Sequence, residues 1–261
     1  VSKNPWIGTT RTDWMDEIFR TALYQRHNVA LNVGTESYSN RLSFAFDQDE
    51  GVLENTYDKH LTLRYNGKFK LNKWVTISED LVWKNHEDRS VDTNSGYTGA
   101  VIAAMFMPAS ATVYNPLDGT YGGTTTEDPA YIAQYGSNYA DAHGDAVNPV
   151  RLLEAHNLYD KTSEVWTTTS LEIANVVPGL KFTSRFTYSL EHQNYKNFTP
   201  IRDEVGKPVL SNSLSNYSYR TDAWKTENTL TYDNTFNDKH TVGVLFSTTA
   251  DHYAMRGLEV D

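Results

Sequence analysis

The stretch HLTLRYNGKFKL, residues 60–71, alternates apolar and polar residues along its whole length. Successive side chains of a β-strand point to opposite faces of the sheet, so this alternation predicts a two-faced strand. The apolar side carries Leu61, Leu63, Tyr65 and Phe69, and the polar side carries Arg64, Asn66, Lys68 and Lys70. A strand of this kind covers either a protein core or lipid with its apolar face.

Seven further segments repeat the alternation and predict about eight strands in all. They cover residues 29–33, 41–47, 74–84, 165–175, 180–190, 224–232 and 240–248. The 17 Tyr in the chain also favour β structure. Two antiparallel architectures fit. In a soluble sandwich the apolar faces form the core, and in an outer-membrane barrel they contact lipid.

The connections between these segments favour the barrel. Short connections alternate with longer ones along the chain, at 34–39, 49–58, 72–73, 86–159, 177–179, 193–217 and 234–239. Transmembrane barrels have short periplasmic turns and long outer loops, whereas a soluble sandwich has no reason to sort its loops. Several strands approach ten residues, which spans a bilayer at a tilt, and Trp and Tyr near strand ends fit interfacial belts.

Charge and composition exclude several classes of protein. The net charge of −10 argues against nucleic-acid binding. The chain has no cysteine, which excludes disulfides and thiolate metal sites. No segment approaches the roughly 18 consecutive apolar residues that a transmembrane helix needs. The sequence opens with Val1 and shows no apolar signal segment, so we expect a processed chain or a piece of a longer one.

The segment TDWMDEIF, residues 12–19, predicts a short helix directly before the first strand. Trp14, Ile18 and Ala22 are spaced four residues apart and form one apolar helix face. Either Thr12 or Asp13 can cap the helix, because short polar side chains accept the free N–H groups of the first turn.

This segment resembles the start of the barrel in the SusC/RagA family of TonB-dependent outer-membrane transporters, which carries T-D-W-x-D-E-x-F before a strand that ends in Gly. The matching residues are Thr12, Asp13, Trp14, Asp16, Glu17, Phe19 and Gly34. Other segments resemble the same family in the same order, at residues 44–81, 108–123, 148–157, 178–192 and 227–247. The resemblance covers nearly the whole chain and rests on the order of the motifs.

The resemblance implies a fold, a function and partners. The fold is all-β: an antiparallel transmembrane β-barrel of 22 strands plugged by an N-terminal domain, with short periplasmic turns, long extracellular loops and short helices. The function is active import of oligosaccharides or peptides across the bacterial outer membrane. The partners are a SusD-like surface lipoprotein, TonB acting through an N-terminal region, and outer-membrane lipid. The polar side of residues 60–71 then faces the lumen and the apolar side faces lipid.

The resemblance also predicts the domain organisation. Residues 1–261 are expected to form part of one TonB-dependent receptor β-barrel domain, with an opening helix segment at 1–26 and a long extracellular loop at 86–159. We expect the helix to lie against the inner wall or the periplasmic rim and to bridge plug and barrel. The plug domain and the TonB box are absent from this chain, which holds no more than about a third of the strands.

We therefore expect the N-terminal part of a larger barrel, with open edges near residues 29–33 and 242–246, because a membrane sheet must otherwise close on itself. The alternative is a small non-transporting β-barrel or sandwich that binds glycans or acts as an adhesin.

Candidate substrate contacts lie in the loop YNPLDGTYGG, residues 114–123, where Tyr114 and Tyr121 could stack on sugar rings beside Asp118. Its dense Pro and Gly content explains the same motif as a turn, so both interpretations stay open. A helix is also predicted over residues 97–107, with an apolar side that packs on neighbouring loops or contacts the lipoprotein.

Catalytic and metal-binding patterns are weak. The histidines are scattered, no G-x-S-x-G elbow occurs, and no carboxylate pair stands out as that of a glycosidase. We therefore predict that the chain is not an enzyme and holds no cofactor or metal. The single exception is DAHGD, residues 141–145, whose carboxylates could bind calcium, although a solvated loop is the simpler explanation.

Overall fold

The computed structural model describes residues 10–95, 99–115, 119–123, 146–155, 157–204 and 209–260. Within these residues, eight strands form a single antiparallel sheet, and three short helices lie at one end of it. The strands are β1 (Tyr24–Gly34), β2 (Tyr38–Glu50), β3 (Tyr57–Lys70), β4 (Val75–Arg89), β5 (Asn157–Ala174), β6 (Leu180–Thr199), β7 (Ser213–Phe236) and β8 (His240–Val260). The helices are α1 (Trp14–Ile18), α2 (Ala100–Phe106) and α3 (Pro149–Ala155).

The strands lie in the sheet in chain order, and each pairs antiparallel with the next. The connections after β1, β3, β5 and β7 are short, at residues 35–37, 71–74, 175–179 and 237–239. They form the short-turn end of the sheet. The connections after β2, β4 and β6 are longer, at residues 51–56, 90–156 and 200–212, and form the long-loop end. The predicted strand number and loop alternation are therefore confirmed.

The later strands are longer than the alternation predicted. β7 has 24 residues, whereas the pattern indicated only 224–232. Its first part, from Ser213 to Asp222, is mostly polar and carries no apolar period. It remains in the sheet because the backbone ladder pairs residues whatever their side chains, with Tyr217 opposite Tyr195 and Glu259.

The register places most of the large apolar residues of β1 to β6 on one face of the sheet. Leu63 lies opposite Phe44 on β2 and opposite Trp83 on β4. The same row continues with Val29 on β1 and with Val165 and Leu190 on β5 and β6. Because side chains alternate along each strand, the polar residues of β3 lie on the opposite face. We call these the apolar face and the polar face.

No second layer covers the apolar face within the described residues. Val29 is 68% exposed and Phe246 is 63% exposed, although both lie in ordered strands. The buried hydrophobic cluster contains no strand residue at all. A sandwich buries its apolar faces against a second sheet, so the soluble sandwich interpretation is wrong for this part of the chain.

The buried cluster instead lies at the long-loop end, where the three helices pack together. Trp14 and Ile18 of α1 contact α2 through Ala103 and Ala104, and Leu153 of α3 completes the cluster. The helices are short, so their stability comes from this packing rather than from their own hydrogen bonds.

Helix α1 is shorter than expected, and it lies at the long-loop end of the sheet. Asp13 caps it by accepting the N–H groups of Met15 and Asp16, as predicted, but the helix ends at Ile18, so Ala22 is not part of it. The chain then bridges to the β2–β3 connection, where Phe19 pairs with Leu53. The helix therefore lies at the long-loop end of the sheet, where β1 starts, and the expected contact with the inner wall or the periplasmic rim stays a prediction.

The two edges of the described sheet are β1 and β8. Each pairs with one neighbour, and the pairing that the structure describes does not join them to each other. Open edges at these two strands agree with the prediction for part of a larger barrel. A closed eight-stranded barrel, which is one form of the alternative, is not formed by the described pairing of these strands. None of the described helices has the length and apolar content needed to cross a lipid bilayer.

Candidate functional site

The polar face carries its densest chemistry in two rows near the long-loop end. The first row crosses all eight strands through Tyr24, Asp49, Asp58, Asp88, Asp160, Tyr195, Tyr217 and Glu259, each opposite the next. Four aspartates therefore stand side by side on neighbouring strands. Directly opposed like charges destabilise a sheet, so this arrangement is a candidate for binding rather than for folding.

The second row lies two residues further along each strand. It consists of Arg26, Asp47, His60, His86, Thr162, Gln193, Tyr219 and Gly257. Arg26 forms an ion pair with Asp47, and its guanidinium lies 6.0 Å from the ring centroid of Tyr24. A cleft of about 350 Å³ opens between the two rows and is lined by Tyr24, Arg26, Asp47, Asp49, Asp58, His60 and Thr62.

Three tyrosines form an aromatic patch on β6 and β7 in the same region. The rings of Tyr195 and Tyr217 stack with their centroids 4.5 Å apart, and Tyr219 is tilted against Tyr217 at 5.2 Å. Gly257 makes room for this patch, because a Cβ there would lie 2.2 Å from Cδ1 of Tyr219. Aromatic faces beside carboxylates can bind flat, apolar surfaces and polar groups of one ligand together.

Asp58, His60 and His86 converge at the centre of the two rows. Nε2 of His60 lies 2.7 Å from Oδ1 of Asp58, and Nε2 of His86 lies 3.1 Å from the same oxygen. The two imidazole rings stack at 4.1 Å. Sequence reasoning missed this group. The signal was the hairpin: His60 and His86 are equally far from Lys73 at its turn and must therefore face each other.

The predicted substrate tyrosines of the long loop are held in place by a carboxylate. Tyr114 and Tyr121 form an isolated antiparallel bridge, and their ring centroids are 5.8 Å apart. Both hydroxyls donate to Glu154, at 3.4 Å and 2.8 Å. Burial, followed by the contact with Glu154, raises the pKa of Tyr121 above its ordinary value, and burial also raises the pKa of Tyr114. The turn interpretation accounts for these contacts, and a role in binding substrate stays a prediction.

A buried polar cluster ties this turn to two other segments, and sequence reasoning missed it as well. The side-chain amide of Asn148 donates to the carbonyls of Val113 and Gly122, at 2.8 Å and 2.7 Å. Its oxygen accepts the N–H groups of Val150 and Arg151 and so caps α3. Arg151 in turn pairs with Glu204 of the β6–β7 connection.

Residues of the opening motif also form hydrogen bonds to the long loop. Thr12 donates its backbone N–H to Ala109 and its hydroxyl to Ala111. The indole of Trp14 donates to the carbonyl of Pro108 at 3.0 Å. The motif therefore connects the segment before β1 to a loop almost one hundred residues later. Asp118 and the DAHGD segment at 141–145 lie outside the described residues.

The comparisons with known proteins agree with this architecture. No family model matches the chain. It is 28% identical over 96 residues to the TonB-dependent receptor SusC of Bacteroides thetaiotaomicron, which covers 36% of this chain and 10% of that protein. It is 22% identical over 240 residues to the TonB-dependent receptor P3 of Formosa agariphila, which covers 90% of this chain and 22% of that protein.

A solved structure of the RagAB peptide transporter superposes with a TM-score of 0.68 and 16% identity, over 95% of this chain and 27% of that one. In sequence and fold, the chain therefore resembles a segment of SusC/RagA-type TonB-dependent transporter barrels. It spans between about a tenth and about a quarter of the length of the proteins it matches. These proteins are named as receptors and a transporter, not as enzymes.

The eight residues of β3 that were predicted to face lipid or the lumen lie on two opposite faces of the sheet, as the alternation required. Leu61, Leu63, Tyr65 and Phe69 share the apolar face with the apolar residues of β2, and Arg64, Asn66, Lys68 and Lys70 share the polar face with Asp47.

Proposed function

We propose that the SusC/RagA-like segment forms part of the barrel wall of an active importer in the bacterial outer membrane. The observation that carries the proposal is the uncovered apolar face of a well-paired sheet. Large exposed apolar patches are rare on soluble monomers and mark contacts with protein or membrane. The apolar face then contacts outer-membrane lipid, and the polar face lines the lumen.

A row of charges near the long-loop end of the apolar face supports this orientation. The row of Lys59, Glu87 and Lys161 lies towards the long-loop end, and the ammonium group of Lys161 is 3.3 Å from Glu87. Charged residues are costly at the bilayer midplane but not beyond the interface. The strands β5 to β8 have 18 to 24 residues, more than the 9–11 that span a bilayer. They therefore extend past the membrane on the long-loop side, which we assign to the cell exterior.

The substrate that we propose is an oligosaccharide or a peptide. The aspartates of the first row accept hydrogen bonds from hydroxyl or amino groups. The patch of Tyr195, Tyr217 and Tyr219 offers aromatic faces beside them. The net charge of −10 gives no attraction for nucleic acid. We propose no catalytic step and no cofactor for transport itself, because TonB would supply the energy through the N-terminal region of the complete protein.

The second partner that we propose is a SusD-like surface lipoprotein at the long-loop end. Helix α2 buries Ala100, Ala103 and Ala104 against the other helices. It leaves Met105 and Phe106 66% and 67% exposed. The alanine side of the helix therefore packs inward, whereas Met105 and Phe106, which belong to the predicted apolar side, remain accessible to a partner.

Uptake by cells tests the proposal. Cells that lack the complete gene should lose uptake of fluorescent peptides or of fluorescent oligosaccharides, and the gene should restore it. An uncoupler of the proton gradient should abolish uptake in wild-type cells, since import through TonB requires energy. Unchanged uptake of both substrate classes in the deletion strain, or uptake that resists the uncoupler, would contradict the proposal.

A further inference from the structure

We propose that Asp58, His60 and His86 form a binding site for a divalent transition-metal ion on the polar face. Two imidazole nitrogens and one carboxylate oxygen would coordinate the ion, from two adjacent strands. The site goes beyond the import function proposed above and does not depend on it.

The geometry of the three side chains suits a metal. Their ligand atoms all lie within 4.8 Å of one another. In a tetrahedral site with bonds near 2.0 Å, ligand atoms are separated by about 3.3 Å, so small side-chain rotations complete the arrangement. Both Nε2 atoms lie within 3.1 Å of the same Asp58 oxygen, and one of the two stacked rings has to rotate out of the stack for both nitrogen lone pairs to reach a single ion.

The surrounding charge also favours a cation at this place. Asp58 lies between Asp49 and Asp88 in the ladder, and Asp160 follows Asp88. The positive charge of Arg26 in the next row is directed to Asp47. Opposed carboxylates cost stability, and a bound dication would offset that cost where the aspartates meet.

The chemistry of the donors selects the kind of ion. Imidazole suits zinc, copper and nickel, whereas calcium and magnesium prefer sites built from oxygen alone. Three protein ligands leave a coordination position open. That position faces the cleft of about 350 Å³, which Asp58 and His60 themselves line. The ion would therefore cross-link β3 to β4 and offer its open position to a water, carboxylate or amine in the cleft.

Copper titration of the complete protein, purified in detergent and stripped with a chelator, tests the site. Cu²⁺ is the probe, because its electron paramagnetic resonance spectrum reports nitrogen ligands, and Zn²⁺ should displace it. We expect one Cu²⁺ site with two coupled nitrogens that is lost in His60→Ala and in His86→Ala, with affinity reduced by about 100-fold or more. The control His27→Ala removes an exposed histidine of β1 on the apolar face and should leave the titration unchanged.

Copper affinity and spectra that are identical in the wild type and both histidine variants would overturn the proposal. If a histidine variant does not fold, Asp58→Asn decides, because the amide has the same size and retains hydrogen bonding to the imidazoles. A loss of about 10-fold or more in Cu²⁺ affinity supports the site. An unchanged affinity overturns it.

Discussion

Arg151 of α3 and Glu204 of the β6–β7 connection, which are 53 residues apart in the sequence, form an ion pair with side chains only 8% and 1% exposed. Glu204 also accepts the backbone N–H of Asn148 at 2.9 Å. Removing two charges from water is costly, so a pair of this kind persists only where its geometry and hydrogen bonds are good. It fixes the β6–β7 connection to the long loop at the mouth of the proposed barrel.

Replacing Arg151 with Ala should therefore open this region. The Glu204 carboxylate would lose its buried cation, and breaking such pairs costs about 3–5 kcal/mol. Hydrogen exchange of residues 146–155 and 200–204 in the complete protein measures the change. Arg220→Ala is the control, since Arg220 lies 4.0 Å from Asp222 and is 56% exposed. Its loss should change the free energy of local opening, as measured by hydrogen exchange, by less than about 1 kcal/mol. Equal effects of the two variants would contradict a structural role for the buried pair.

A glycine in the β5–β6 turn offers a second prediction. Gly179 has φ +83°, and a Cβ there would lie 2.1 Å from the carbonyl oxygen of Asp233. Gly179→Ala should cost about 1–3 kcal/mol from the backbone conformation alone, with the clash in addition. Gly243→Ala is the matched control, because its Cβ would meet only the flexible side chain of Asp233, at 3.0 Å. Denaturant unfolding in detergent compares the two, and a Gly179 variant as stable as the Gly243 variant would refute the argument.

The contact of Tyr121 with Glu154 predicts a dependence on alkaline pH. Burial and the hydrogen bond raise the pKa of Tyr121 above its ordinary value of 10.0. The stabilisation is therefore fully present below pH 10 and is lost as the pH rises through the raised pKa. Proteolysis of the loop between pH 8 and pH 12 should accelerate in the wild type, and Tyr121→Phe should lack this component. A Phe variant with the same pH profile would show that the hydroxyl contributes nothing.

The apolar face gives a prediction in lipid. Leu63 lies between Phe44 and Trp83, near the middle of β3. Arg in place of Leu63 should cost about 2–4 kcal/mol if this position is at the bilayer midplane. Thr62→Arg, on the polar face, is the control and should cost much less. Refolding yield and unfolding in lipid vesicles compare the two, and similar costs would argue against lipid contact at Leu63.

Alternation was enough to predict the strands and the two faces. A strand that contacts a core or lipid on one face needs an apolar residue at every second position. The turn at Lys73 places His60 opposite His86, although we did not predict this pair from the sequence. The end of the sheet at which α1 lies also follows from the sorting of the loops. A short turn after β1 puts the start of β1, and hence α1, at the long-loop end. The expected position at the inner wall or the periplasmic rim, and the bridge to a plug domain, came instead from the family resemblance.

The polar cluster of Asn148, Arg151 and Glu204 could not be predicted in the same way. Its members lie on a helix start and a loop, and their contacts join segments with no common period. The hydrogen bonds from Thr12 and Trp14 to residues 108–111 could not be predicted for the same reason. Local patterns identify elements, whereas contacts between long loops depend on how the sheet brings their ends together.

The central claim is that one face of the sheet contacts lipid and the other an aqueous lumen, and cysteine labelling at two adjacent residues tests it most directly. The chain has no native cysteine, so in a complete protein free of other thiols, Leu63→Cys and Arg64→Cys each give a single reporter. In outer membranes, a water-soluble maleimide should label position 64 rapidly and position 63 hardly at all, because adjacent side chains lie on opposite faces. Equal labelling of the two positions would contradict the account.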